Sequence, residues 1–232
     1  MLNAAKLLTL SLIVCVAIMG LPSMAGASTI FMLSQDGGAY TTIATGTSLS
    51  SVSGSGVFGD FTYKIIGVST DNTAALSDLL SSATSISNNS TASHTLSVRV
   101  SSQDYTLPAD LGVRVESGMG ASLSAGTLIA TFQAYADKAN NLSGVSDFSV
   151  GLQTCSFNVS TCDTGSATGL FAKTAGAFSL TSVANLTLSG GGLANFSTHE
   201  NVTAVPEPNS LVLIGSSLIF FAGMGFKKRK IV

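Results

Sequence analysis

The side chains that could do acid–base, thiol or metal chemistry are few: two histidines, His94 and His199, three cysteines and twelve acidic residues in a chain of 232. A reaction would need a nucleophile beside a base, two carboxylates sharing a pocket, or a cluster of metal ligands. No G-x-S-x-G elbow, H-E-x-x-H helix, phosphate-binding loop or EF-hand loop occurs, and the carboxylates are scattered with no D-x-D run. The expectation is therefore no enzyme, no cofactor and no metal site. A secreted hydrolase is the third reading, because two carboxylates brought together by the fold suffice for glycoside hydrolysis. Sugar-binding aromatics are thin, however, with no Trp and four Tyr.

Cys15 lies inside an N-terminal apolar run, which leaves Cys155 and Cys162 for the rest of the chain. An even pair with a short spacing in an exported protein predicts one disulfide across Ser156–Thr161. Closing so small a ring is worth roughly 2–3 kcal/mol by loop entropy. A metal or redox pair would want a C-x-x-C spacing or a nearby histidine, and neither is present.

Only 9% of the residues are charged, against about 25% in an average soluble domain. The apolar residues gather in two terminal blocks, Leu7–Leu21 and Leu211–Phe226, flanked by five of the ten basic residues. Lys6, the first block, Pro22 and the small-x-small site Ala25-Gly26-Ala27 read as a signal peptide over 1–27, cleaved before Ser28 by the secretion machinery. Between the blocks, Ser28 to Val205 holds five basic and eleven acidic residues. Nucleic acid is disfavoured as a partner, since phosphate binding needs clustered Lys and Arg. Ser, Thr, Gly and Asn supply the polarity instead, which suits one extracellular β-rich domain over 28–204.

At the other end, Val205-Pro206-Glu207-Pro208 precedes the apolar run 211–226 and the basic tail Lys227-Lys228-Arg229-Lys230. Two prolines around Glu207 hold that segment extended and remove two backbone donors. The apolar run makes about 24 Å of helix, short of a hydrocarbon core of about 30 Å, so it suits a temporary anchor. The basic tail would keep the C-terminus cytoplasmic and the domain outside.

Pro-Glu-Pro, one apolar helix and a terminal basic cluster, in that order over 205–232, resemble the PEP-CTERM sorting signal of Gram-negative bacteria. The resemblance implies recognition by an exosortase, passage through an inner-membrane-anchored intermediate, and association with exopolysaccharide at the cell surface or in the matrix. Thr198-His199-Glu200-Asn201 just upstream is similar to the T-H-x-N motif of a PEP-CTERM subgroup. Read physically, His199 is a partly exposed strand-end histidine in a hydrogen bond, because no further metal ligands can be assembled around it.

These residues need elements to position them. Phe61–Ile65, Leu96–Val100 and Phe178–Val183 alternate apolar and polar, as half-buried strands do. Thr29–Leu33, Leu111–Val115, Thr127–Tyr135, Phe148–Leu152, Asn185–Leu188 and Ala194–Val205 are further candidates, which predicts an antiparallel, jelly-roll-like β-sandwich. The last two should form a hairpin across Gly190-Gly191-Gly192. Leu76, Leu79, Leu80, Ala83 and Ile86 recur at helical spacing behind Asp71-Asn72-Thr73, predicting one short surface helix over 73–85. The functional expectation is an exported, non-enzymatic surface or matrix protein; the alternative is a carbohydrate-binding module holding polysaccharide on one sandwich face.

Overall fold

Alternation of the kind seen in Phe61-Thr62-Tyr63-Lys64-Ile65 puts every second side chain on one face, and that face must be buried. The computed structural model describes residues 28–47, 50–69, 72–156 and 160–205. The predicted signal and transmembrane helices, the Pro-Glu-Pro motif and the basic tail lie outside them. The strands are β1 (Ser28–Gln35), β2 (Thr41–Thr47), β3 (Ser51–Phe58), β4 (Phe61–Val68), β5 (Leu76–Asn88), β6 (His94–Tyr105) and β7 (Gly112–Ala125). They continue with β8 (Leu128–Asp137), β9 (Phe148–Ser149), β10 (Gln153–Ser156), β11 (Thr161–Asp163), β12 (Ala167–Ala172), β13 (Phe178–Leu188) and β14 (Leu193–Ala204).

Two antiparallel sheets form. The first runs β10-β8-β13-β6-β1-β2 with β9 on β8, and the second β11-β7-β14-β5-β4-β3 with β12 on β7. Their inner faces close over one core whose largest fully buried side chains include Phe31, Phe61, Tyr105, Phe132 and Phe178. Tyr105 can bury its ring because its hydroxyl donates to the Asp78 carbonyl at 2.8 Å and meets Ser69 Oγ at 2.5 Å. The sandwich is thus as expected, and the Cys155–Cys162 disulfide is present with a Cα–Cα distance of 6.0 Å. It does more than close a small ring: Cys155 belongs to edge strand β10 of the first sheet and Cys162 to edge strand β11 of the second.

The predicted surface helix is instead β5, a central strand of the second sheet. Leu79, Ser81 and Ala83 point inward at strand spacing. The β4–β5 ladder then jumps from Ile65↔Ala83 to Lys64↔Ser85, so Thr84 is an extra residue, a β-bulge. The bulge flips the parity and turns Ile86 and Asn88 inward. Leu79, Ala83 and Ile86 therefore stand at the i, i+4, i+7 spacing of a helix while lying on one face of a bulged strand. Asn72, just ahead of the predicted helix, instead accepts the N–H groups of Thr106 and Leu107 at 3.1 and 2.9 Å, pinning the chain after β6.

The predicted hairpin across the glycines does not form either. β13 pairs with β6 and β8, while β14 pairs with β5 and β7 in the other sheet. Asn88 pins the crossing between the sheets: its buried amide donates to the carbonyls of Leu188 and Ser189 at 2.9 and 3.2 Å. Its backbone also exchanges bonds with Gly191 and Gly192, and Gly191 takes the left-handed conformation that the turn between sheets requires. Among the other sequence-read strands, Phe178–Val183 and Asn185–Leu188 fuse into β13, and Phe148–Leu152 shrinks to β9. β2 and β3, rich in Ser, Thr and Gly, gave no apolar alternation to read.

Candidate functional site

Strand β14 carries the T-H-x-N residues, and strand geometry splits them between its faces. Thr198 points inward, where its hydroxyl meets Ser81 Oγ at 2.5 Å, and Glu200 beside it is fully buried. His199 and Asn201 point outward, so the motif does not converge on one site. His199 is partly exposed, as expected, but it sits well inside the strand rather than at its end, and among the described residues its ring makes no hydrogen bond. The ring lies against Gly118 of β7, where a Cβ would stand 2.6 Å from His199 Cε1. It borders a shallow concavity of about 390 Å³ with Ile66, Val68, Leu80, Ser82 and Ser197, which adjoins a second of about 300 Å³ over Gly120, Ser122 and Asn195. With no nucleophile or carboxylate bonded to the imidazole, this trough can hold a ligand by shape and hydroxyl contacts but has no base–nucleophile pair.

His94 is occupied differently. Its Nδ1 lies 2.7 Å from Asp36 Oδ2 and its Nε2 3.5 Å from Asp60 Oδ2. Asp36 also accepts the Thr95 N–H at 2.8 Å, and this backbone bond, with His94 and Gln35, holds its carboxyl below the usual carboxylate range against a smaller burial effect. The three residues clip the β1–β2 turn, the β3–β4 turn and the start of β6 together at one end of the sandwich. Among the described residues, no group of three or more His, Cys, Asp or Glu is arranged to hold a metal ion.

A third constellation sits on the outer face of the first sheet. Arg99 of β6 faces out between its register partners Met32 and Val183. Tyr40, just ahead of β2, lays its ring over the guanidinium, 3.9 Å from Cζ to the ring centroid. The Nε is buried without a hydrogen-bond partner, and Arg99 enters none of the ion pairs among the described residues. Tyr135 of β8 lies within electrostatic range of both; burial raises its hydroxyl pKa above the ordinary value and Arg99 pulls against it. Around them run rows of hydroxyls and amides: Ser97 to Asn185 at 2.6 Å, Ser101 with Thr181 at 2.8 Å, and Gln133 to Ser149 at 2.7 Å. Residues 138–147 cross the same face, with the Ser143 N–H on Ser101 Oγ at 2.9 Å. Sequence reasoning did not find this site. Alternation in Leu96–Val100 puts Arg99 on the polar face, but Tyr40 reaches it from a loop that nothing in the sequence connects to it.

No protein-family model matches the chain, and no curated protein does. Among solved structures, it is similar to a carbohydrate-binding module in complex with beta-1,4-galactotriose, at 8% identity and a TM-score of 0.29, covering 61% of this chain and 88% of that one. A mannan-recognising carbohydrate-binding module matches at 10% identity and a TM-score of 0.27, covering 66% and 86%. The enzymatically active domain of a bacteriophage tailspike protein matches at 15% identity and a TM-score of 0.25, covering 71% and 18%.

Proposed function

We propose that the protein is an exported, non-enzymatic component of the cell surface or extracellular matrix. The observation that carries this reading is the disulfide joining the edges of the two sheets, which calls for an oxidising compartment. A signal peptide over 1–27 provides the export. The segment 205–232, with Pro206, Glu207 and Pro208 for recognition, Leu211–Phe226 for retention and Lys227–Lys230 for orientation, provides the PEP-CTERM sorting step and its exosortase partner. In support, the last described strand ends at Ala204, two residues before the first of those prolines. Truncation after Val205 tests the sorting step. Cell fractionation should then move the protein from the membrane fraction to the soluble exported fraction, and continued membrane retention of the truncated chain would sink it.

A second reading, a carbohydrate-binding module of the matrix, is favoured by one specific observation. The outer face of the first sheet combines two partly buried tyrosines, an arginine in no ion pair among the described residues, and rows of hydroxyl and amide groups, which is the mixture of stacking surface and neutral donors that recognises sugar rings.

A further inference from the structure

We infer that this outer face binds a sugar bearing a carboxylate, with the Arg99 guanidinium as its anion contact and Tyr40, Tyr135 and Gln133 around it. The inference rests on the carbohydrate-binding reading and names its ligand class. An arginine presents five donors in a planar fork, and with no acidic partner among the described residues those donors seek an anion. Here the fork is partly desolvated and held in place by the Tyr40 ring at 3.9 Å, so it is ordered before any ligand arrives. A carboxylate matches a single fork in both shape and charge. A phosphate or sulfate polymer would call for a cluster of cations, and there is no second Lys or Arg on the strand of Arg99 or on the paired strands β1 and β13, while His94 at the start of β6 is held by Asp36 and Asp60.

The neighbouring acidic residues are already engaged. Asp147 is bonded to Lys138 at 2.8 Å, Asp137 caps the Ala139 N–H and the Asn141 amide, and Asp104 takes the Asn140 amide at 2.5 Å. Asp36 and Asp60 face His94 at the end of the sandwich. The rest of the face offers only neutral groups. Gln133, Thr131 and Asn185 can exchange hydrogen bonds with sugar hydroxyls, and the partly buried Tyr135 ring can lie against a pyranose face.

Isothermal titration calorimetry on the full chain purified in detergent tests this. The probes are oligosaccharides of galacturonate, glucuronate and mannuronate, their carboxyl-reduced neutral counterparts, and acetate. At least one uronate oligosaccharide should bind about tenfold or more tighter than its reduced form, the worth of one charge-assisted contact. Arg99→Gln should abolish that preference, and Arg99→Lys, which keeps the charge but not the fork, should keep only part of it. Circular dichroism melting shows whether the variants fold. Tyr40→Ala, a change in a loop ahead of β2, gives a second route to the same loss. Equal binding of charged and neutral sugars, or a preference that survives Arg99→Gln, overturns the anion assignment and leaves the carbohydrate reading standing. Acetate binding as tightly as the uronate oligosaccharides overturns sugar recognition at this site. Binding of none of the oligosaccharides overturns both readings.

Discussion

Glu200 is the residue least at ease in this fold. It is fully buried, and neither carboxylate oxygen has a hydrogen-bond partner. Its register neighbour Ser117 is equally buried with an unpartnered hydroxyl. Desolvation pushes the Glu200 carboxyl well above the ordinary value, so the folded protein holds it protonated where the unfolded chain would ionise it. Below the unfolded-state pKa the group has no effect on stability; as pH rises from there towards the folded-state pKa, the unfolded state binds fewer protons than the native one and stability falls. Asp36 and Asp147 act in the opposite sense. Their depressed values stabilise the fold above the ordinary carboxylate range, and that contribution is lost as pH falls through it. Glu200→Gln keeps the shape and removes the ionisation. It should stabilise the protein at pH 8 and change little at pH 4. Denaturant melts across that range check it, and identical pH profiles for the two proteins would refute the account.

At the scale of elements, β5 shows how a strand can imitate a helix in sequence. Period-two burial interrupted by one bulge reproduces the spacing of a helical stripe, and the apolar residues alone do not tell the two apart. What distinguishes them is the pair of neighbours, β4 and β14, whose ladders need β5 extended. The facing strands meet closely at Gly67 of β4. A Cβ there would stand 2.7 and 3.0 Å from the two methyl carbons of Val100 in the opposite sheet. Valine is stiff about χ1 and has little room to yield. Gly67→Ala should therefore cost about 1–3 kcal/mol by overpacking. An unchanged or higher urea midpoint would show that the sheets are not so closely apposed at this point.

For the molecule as a whole, the disulfide is a clasp between the two layers. β10 and β11 are short edge strands with only 4 and 3 residues, so each contributes few ladder bonds of its own. Joining them covalently holds the sandwich closed along that edge. Replacing both Cys155 and Cys162 by Ala should lower stability by about 2–3 kcal/mol and speed hydrogen exchange first in β10 and β11. Unaltered exchange there, with an unchanged denaturation midpoint, would mean that packing alone closes the edge. The two outer faces then have different characters. The second sheet presents a trough of aliphatic and serine side chains beside His199, and the first a single stacked arginine amid hydroxyl rows.

Much of this is legible in the sequence. The alternation in Phe61–Ile65, Leu96–Val100 and Phe178–Val183 located strands, and cysteine count and spacing predicted the disulfide, because these depend on local periodicity and on arithmetic. The outward direction of Arg99 also followed from alternation. The rest depended on contacts between residues far apart in the chain. The ladders of β13 and β14 place them in different sheets with Asn88 pinning the turn between them, the ladders of β4 and β14 hold a helical stripe as a bulged strand, and a loop brings Tyr40 over Arg99. Strand polarity is a property of neighbours in sequence; which strands pair, and which side chains meet across a face, is settled by the closure of two sheets on one core.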